Sequence, residues 1–186
     1  GCSGGNKVRV GKTSAIADEL KVMHGAALVR AHAELLPANT IAVAALDMDF
    51  IVGELLTEGL GMLPEGWDAT EMDQDLAEIS IKHLGVDFTH AHNMVLAVTD
   101  REEVFVSLQG EALGEPEGIK PFEYEGLDVS IGRDGALIVK SPKATAGTVL
   151  MAFDPDHLGV LAKMASGEVG TLAANPALAD LTATME

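Results

Sequence analysis

Met94-Val95-Leu96-Ala97-Val98-Thr99-Asp100-Arg101-Glu102-Glu103-Val104-Phe105-Val106-Ser107-Leu108-Gln109 decides how this chain is read. Two short apolar runs, rich in branched side chains, flank four charged residues. Runs of this length and composition fit strands, and the polar interruption fits the turn of a hairpin. Downstream the same texture returns. Leu127–Gly132 and Ala136–Lys140 flank Arg133-Asp134-Gly135, where Asp-Gly is a strong hairpin signal. Pro116 and Pro121 bound a loop, and Phe122–Glu125 after it reads as a short strand. Thr148–Phe153 is a further apolar strand.

Upstream of residue 93 the pattern is helical. Ile16, Leu20, Met23, Ala27, Leu28 and Ala31 recur at spacings of three and four, which predicts a helix over 14–35 capped by Ser14. Thr40–Leu46 is a nearly continuous apolar run and predicts a buried strand. A second helix is expected from Asp47 to about Leu60, and a third from Asp68 or Thr70 to Leu84. Trp67 falls in the loop between them. After Phe153, Asp154-Pro155 predicts a helix start. Asp accepts orphan N–H bonds, and Pro at the first position loses no hydrogen bond. Asn175-Pro176 repeats the device before a final helix to Met185, and Gly167 stops the helix before it. The expectation is an α+β domain: an antiparallel sheet of five or six strands with helices packed on one face. Residues 1–13 read as a flexible tether and 14–186 as a single domain.

The full sequence has 186 residues and a net charge of −17, with one cysteine. Residues 1–30 hold five basic groups against two acidic ones. That segment is +3, which leaves −20 for residues 31–186. A body this acidic argues against nucleic acid as a partner, since phosphate binding needs clustered Lys and Arg. A single cysteine excludes an intramolecular disulfide framework and a cysteine-based zinc cluster. No run of apolar residues is long enough to span a membrane as a helix.

That cysteine stands in Gly1-Cys2-Ser3-Gly4-Gly5-Asn6-Lys7. The segment resembles the processing site of a bacterial lipoprotein, in which a small residue precedes an acylated cysteine and a polar tether follows. The resemblance implies lipidation at Cys2, a membrane partner reached through that anchor, and outer-membrane sorting consistent with Ser3. A possible protein partner of the envelope would meet the acidic surface. Retained Gly1 departs from the pattern, since a mature lipoprotein begins at the cysteine. A second resemblance rests on Leu36-Pro37-Ala38-Asn39-Thr40 and on Thr171-Leu172-Ala173-Ala174-Asn175-Pro176-Ala177-Leu178. These are similar to segments of a family of uncharacterised secreted bacterial proteins that open with Leu-Pro-x-Asp-Thr. Asn39 replaces the usual Asp. That family has no established activity, so the resemblance implies architecture and envelope location only, and it suggests that the chain could continue past Glu186.

Several patterns invite chemistry. Gly11-Lys12-Thr13 is the tail of a phosphate-binding loop, but Asn6 stands where its first Gly belongs and no strand precedes it. His90-Ala91-His92 places two imidazoles close together and could hold zinc or copper, given a third ligand such as Asp87 or Glu123. His24 and His32 lie on different faces of their helix. Asp47-Met48-Asp49 and Asp154-Pro155-Asp156 resemble each other and each follows an apolar strand. Helix capping by Asp47, Asp154 and Asn175 accounts for them more simply than a cation or an internal duplication. Glu71, Asp73, Asp75 and Glu78 lack the glycine-centred loop of a calcium site. Asp128–Gly132 lacks the first Gly of a nucleophile elbow. No catalytic residue and no cofactor is assigned. The expected function is a lipid-anchored envelope binding or structural module without catalytic activity. The alternatives are a metal-binding protein or metal-dependent hydrolase centred on His90 and His92, and a carrier of a small apolar ligand.

Overall fold

The computed structural model describes residues 25–53, 69–111, 113, 121–140, 147–168, 170–183 and 185. The candidate lipidation site Cys2, the Gly11-Lys12-Thr13 motif, Ser14 and Trp67 lie outside them.

The strands are β1 (Thr40–Asp47), β2 (Ala91–Thr99), β3 (Val104–Gly110), β4 (Phe122–Tyr124), β5 (Leu127–Ile131), β6 (Leu137–Lys140) and β7 (Thr148–Ala152). They form one sheet in the order β1-β2-β3-β7-β6-β5-β4, and every neighbouring pair is antiparallel. The α+β architecture is as expected, with seven strands rather than five or six.

Local chemistry places the turns. In the β2–β3 hairpin, Thr99 accepts at its hydroxyl from the N–H groups of Arg101 and Glu103, and Glu102 takes a left-handed φ of 63°. Glu125 and Gly126 both have positive φ, which suits the two-residue turn joining β4 to β5. Gly135 supplies the positive φ of the β5–β6 turn.

The helices are α1 (Gly25–His32), α2 (Ala69–Leu84), α3 (Leu158–Ser166) and α4 (Leu178–Thr182), and residues 48–53 are also helical. Of the helix expected over 14–35, the described part is α1 and a short 3-10 turn, Ala33–Leu35. The final helix is shorter than expected. On one face of the sheet, α3 packs Leu161, Ala162 and Ala165 against Val129, Val139, Leu150 and Phe105. On the same face α1 and α4 meet Val95 and Ala97 through Leu28, Val29 and Leu181. The opposite face is covered as well. There Met48, Ile51, Leu84 and Val86 pack on Val106, Leu108, Ile138 and Met151. Strand pairing puts alternate residues of β3 on opposite faces, so Phe105 serves the first cluster while Val106 serves the second.

The run Thr40–Leu46 forms its strand, but at the edge of the sheet rather than buried. Ile41 is 59% exposed, and Ala42 and Ala44 are exposed. An apolar run shows that no charge is present; it does not show that a second strand lies on each side.

The two segments 36–40 and 171–178, far apart in sequence, meet in space. Pro37 and Thr171 form an antiparallel bridge. The Ala38 N–H donates to the Gly170 carbonyl at 2.8 Å, and the Leu172 N–H to the Leu36 carbonyl at 2.8 Å. The Asn175 side chain donates to the Ala38 carbonyl. Asn39 donates through Nδ2 to Asp100 Oδ1 at 2.6 Å. An aspartate at position 39 would set two carboxylates against each other, so the Asn fits its partner.

Candidate functional site: an apolar groove between two helices

The site grows from the carboxyl end of β1. Asp47 Oδ1 accepts the Phe50 N–H at 3.0 Å and so caps the helical residues 48–53. Their spacing turns Met48, Ile51 and Val52 to one side. Across from them α2 presents Leu76, Ile79, Ser80, His83 and Leu84, a stripe at intervals of three and four. Phe88 and Thr89 close the floor. Together these residues line a groove of about 240 Å³ whose wall is almost wholly carbon.

The floor is held by a polar knot beneath it. Asp87 accepts from the Thr89 N–H at 3.0 Å, from the Thr89 hydroxyl at 2.6 Å and pairs with His90 Nδ1 at 2.7 Å. Burial pushes the Asp87 carboxyl up. The bonds from Thr89 and His90, with the nearby imidazole charge, outweigh burial and hold it below the ordinary carboxylate value. Ser80 accepts the Phe88 N–H and donates to the Ala77 carbonyl, so its hydroxyl is spent inside the wall. Gly110 lies against the same loop. A Cβ there would stand 2.1 Å from the His90 carbonyl oxygen. At the rim His83 Nδ1 meets Asp134 Oδ2 at 3.0 Å.

His90 and His92 do not converge. His90 ends a 3-10 turn, Phe88–His90, and pairs with Asp87, whereas His92 lies in β2 and meets Asp49 at 3.1 Å. Glu123 belongs to β4, at the opposite edge of the sheet. Among the described residues, no three His, Cys, Asp or Glu side chains gather as a metal site requires. The other Asp-x-Asp residues act locally. Asp154 Oδ1 accepts the Asp156 N–H at 2.9 Å, and Asn175 Oδ1 accepts the Ala177 N–H at 2.8 Å. The two similar strand–helix passages lead to opposite faces of the sheet: residues 48–53 to one, α3 to the other.

One constellation was not legible in the sequence. His32, from α1, lies between Ser107 of β3 and Asn93 of β2. Its Nδ1 is 2.7 Å from Ser107 Oγ and its Nε2 is 2.7 Å from Asn93 Oδ1. Asn93 Oδ1 can only accept, so Nε2 carries the proton and Nδ1 accepts from the Ser107 hydroxyl. Burial lowers the His32 pKa below the ordinary 6.5, against a smaller upward pull from Asn93, and keeps the ring neutral. Serine beside histidine resembles a nucleophile and its base. Ser107 is fully buried, however, and His32 and Asn93 nearly so, and a substrate has no approach. The trio ties α1 to the sheet. Its members are 61 and 75 residues apart, and no local pattern links them.

No family model, curated protein or solved structure matches the chain. The site is therefore read from its own chemistry. The groove wall is almost wholly apolar, with Ser80 bonded within its own helix and to the Phe88 turn, and His83 held at the rim by Asp134. It favours an apolar ligand by removing it from water, at about 25 cal/mol per Å² of apolar surface.

Proposed function

We propose that this protein is a non-enzymatic binding module of a bacterial envelope, tethered by acylated Cys2, whose groove takes a small neutral apolar ligand. The observation that supports the binding role is the carbon-lined groove between residues 48–53 and α2. Its 240 Å³ exceeds the roughly 150 Å³ cavity that holds benzene. It falls short of the roughly 300–1,000 Å³ typical of drug-sized ligands. That range suits a single ring or a medium-length alkyl chain. Among the described residues that line the groove there is no Lys or Arg, and the chain carries −17, which favours a neutral ligand over an anionic one. The anchoring role rests on the sequence around Cys2 and on the polar, basic segment that follows.

Two experiments test the two parts separately. Displacement of a solvatochromic apolar dye by short alkanols reads the groove. Ile79→Asp places a charge on a half-exposed wall residue and should abolish displacement without unfolding the protein. Mass spectrometry of the native amino terminus reads the anchor. An unmodified Cys2 in a bacterium competent for lipoprotein processing would refute tethering and leave the groove untouched.

A further inference from the structure

Three side chains that line the groove carry oxygen or nitrogen: Ser80, His83 and Thr89. Each commits its proton to a partner inside the protein. The Ser80 hydroxyl donates to the Ala77 carbonyl at 3.0 Å, and the Thr89 hydroxyl to Asp87 Oδ1 at 2.6 Å. His83 Nδ1 stands 3.0 Å from Asp134 Oδ2. A carboxylate only accepts, so the neutral ring carries its proton on Nδ1 and keeps a lone pair on Nε2. The turn that brings Asp134 is seated on the end of α2. A Cβ at Gly132 would stand 3.0 Å from the His83 carbonyl oxygen, and the Gly132 N–H donates to the Ala136 carbonyl at 2.7 Å. The polar atoms of the groove can therefore accept a proton from a ligand but have none to give. Among the described residues no donor reaches His83 Nε2. The Ser80 oxygen already takes the Phe88 N–H, and Thr89 lies on the floor with its hydroxyl bonded to Asp87. His83 stands at the rim with its side chain 44% exposed.

We propose that His83 Nε2 accepts the hydroxyl proton of the groove's ligand, so that the class taken is an apolar chain or ring ending in an alcohol. The inference rests on reading the groove as a ligand site. The chain or ring lies on the carbon wall, and the hydroxyl stays at the rim beside the imidazole. Other heads fit less well. An ether or ester brings lone pairs to a lone pair. A carboxylate does the same and also meets a chain of charge −17. An ammonium has protons to give, but it loses hydration against a carbon wall. Asp134 acts as a positioning residue, since its carboxylate decides which ring nitrogen faces the ligand without a proton.

The full-length protein is titrated calorimetrically in mildly alkaline buffer, in which imidazole is neutral. The ligands are hexanol and methyl pentyl ether, isomers of which only the alcohol has an O–H proton. The ether is the less hydrated of the two, so a wall of carbon alone would hold it at least as tightly. The expected result is that the alcohol binds about fivefold more tightly, the worth of one net hydrogen bond. His83→Phe keeps an aromatic ring at the rim and removes Nε2. It should bring the alcohol down to the affinity of the ether and leave the ether unchanged, whereas a loss of packing would weaken both alike. The comparison of isomers in the unaltered protein does not depend on that variant. Equal affinities, or a preference for the ether, overturn the inference and leave the groove standing as an apolar site. An alcohol preference that survives His83→Phe overturns it too, since another acceptor would then hold the hydroxyl. Binding of neither isomer removes the groove reading and the inference with it.

Discussion

Replacing His32 tests the trio that fastens α1 to the sheet. His32→Leu keeps much of the volume but removes both partners of the polar groups behind it. Ser107 Oγ and Asn93 Oδ1, each 2.7 Å from the ring, are then buried without a hydrogen bond. Each orphaned group costs about 1–3 kcal/mol. Leucine recovers about 1 kcal/mol through added apolar burial. The expected net loss is about 3 kcal/mol, or a fall in Tm of about 6–12 °C for a chain of this size. Urea denaturation measures it. The triple variant His32→Leu, Ser107→Ala, Asn93→Leu removes the orphans too and should return to within about 1 kcal/mol of the original. The pH dependence supplies a second reading. Because burial lowers the folded-state pKa of His32 below 6.5, the unfolded chain binds the proton more readily. The stability from the neutral ring is present above pH 6.5 and is lost as pH falls below it. The gap between the original protein and His32→Leu should therefore narrow in acid. A single variant as stable as the original, or a gap that does not change with pH, would refute the reasoning.

Other perturbations have equally definite outcomes. Gly110→Ala drives a methyl to 2.1 Å from the His90 carbonyl, a backbone atom that cannot swing away. It should lower stability by about 3 kcal/mol or more in the same denaturation assay. Asp154→Ala removes the acceptor for the Asp156 N–H and should cost about 1 kcal/mol, while Asp154→Asn should cost little. Asp87 is held below the ordinary carboxylate pKa of 3.8, so its contribution is present above that value and lost as pH falls through the folded one. Asp87→Asn should flatten that acid limb in pH-dependent melting. Excess zinc or a chelator should leave the melting curve unchanged, since His90 and His92 face separate carboxylates; a rise in Tm of several degrees with zinc would revive the metal reading.

The sequence and the structure agree where the causes are local. Asp100–Glu103 and Arg133-Asp134-Gly135 turn because their own residues stabilise the turns, and Asp154-Pro155 starts a helix for the same reason. The edge position of β1 was not legible, because Ala-rich apolar strands are written alike whether one side or both sides are paired. The neighbouring of β3 and β7 is a long-range choice that leaves no mark in either segment. Half of the groove could be anticipated from the stripe Leu76, Ile79, Ser80, His83 and Leu84, since that periodicity marks a helix face that something apolar must meet. That Met48, Ile51 and Val52 stand opposite depends on how the chain crosses from β1 to β2. His90-Ala91-His92 straddles an element boundary. Spacing of two brings side chains together only if both residues lie in one strand, and the strand begins at Ala91.

Calorimetric titration with a homologous series of straight-chain alkanols tests the binding account most directly. Each methylene added inside the groove contributes about 0.8 kcal/mol, so the affinity should rise about fourfold per carbon. The rise should stop once the 240 Å³ is filled, and Ile79→Asp should remove it. Absence of binding across the series, or an affinity indifferent to chain length, would contradict the account.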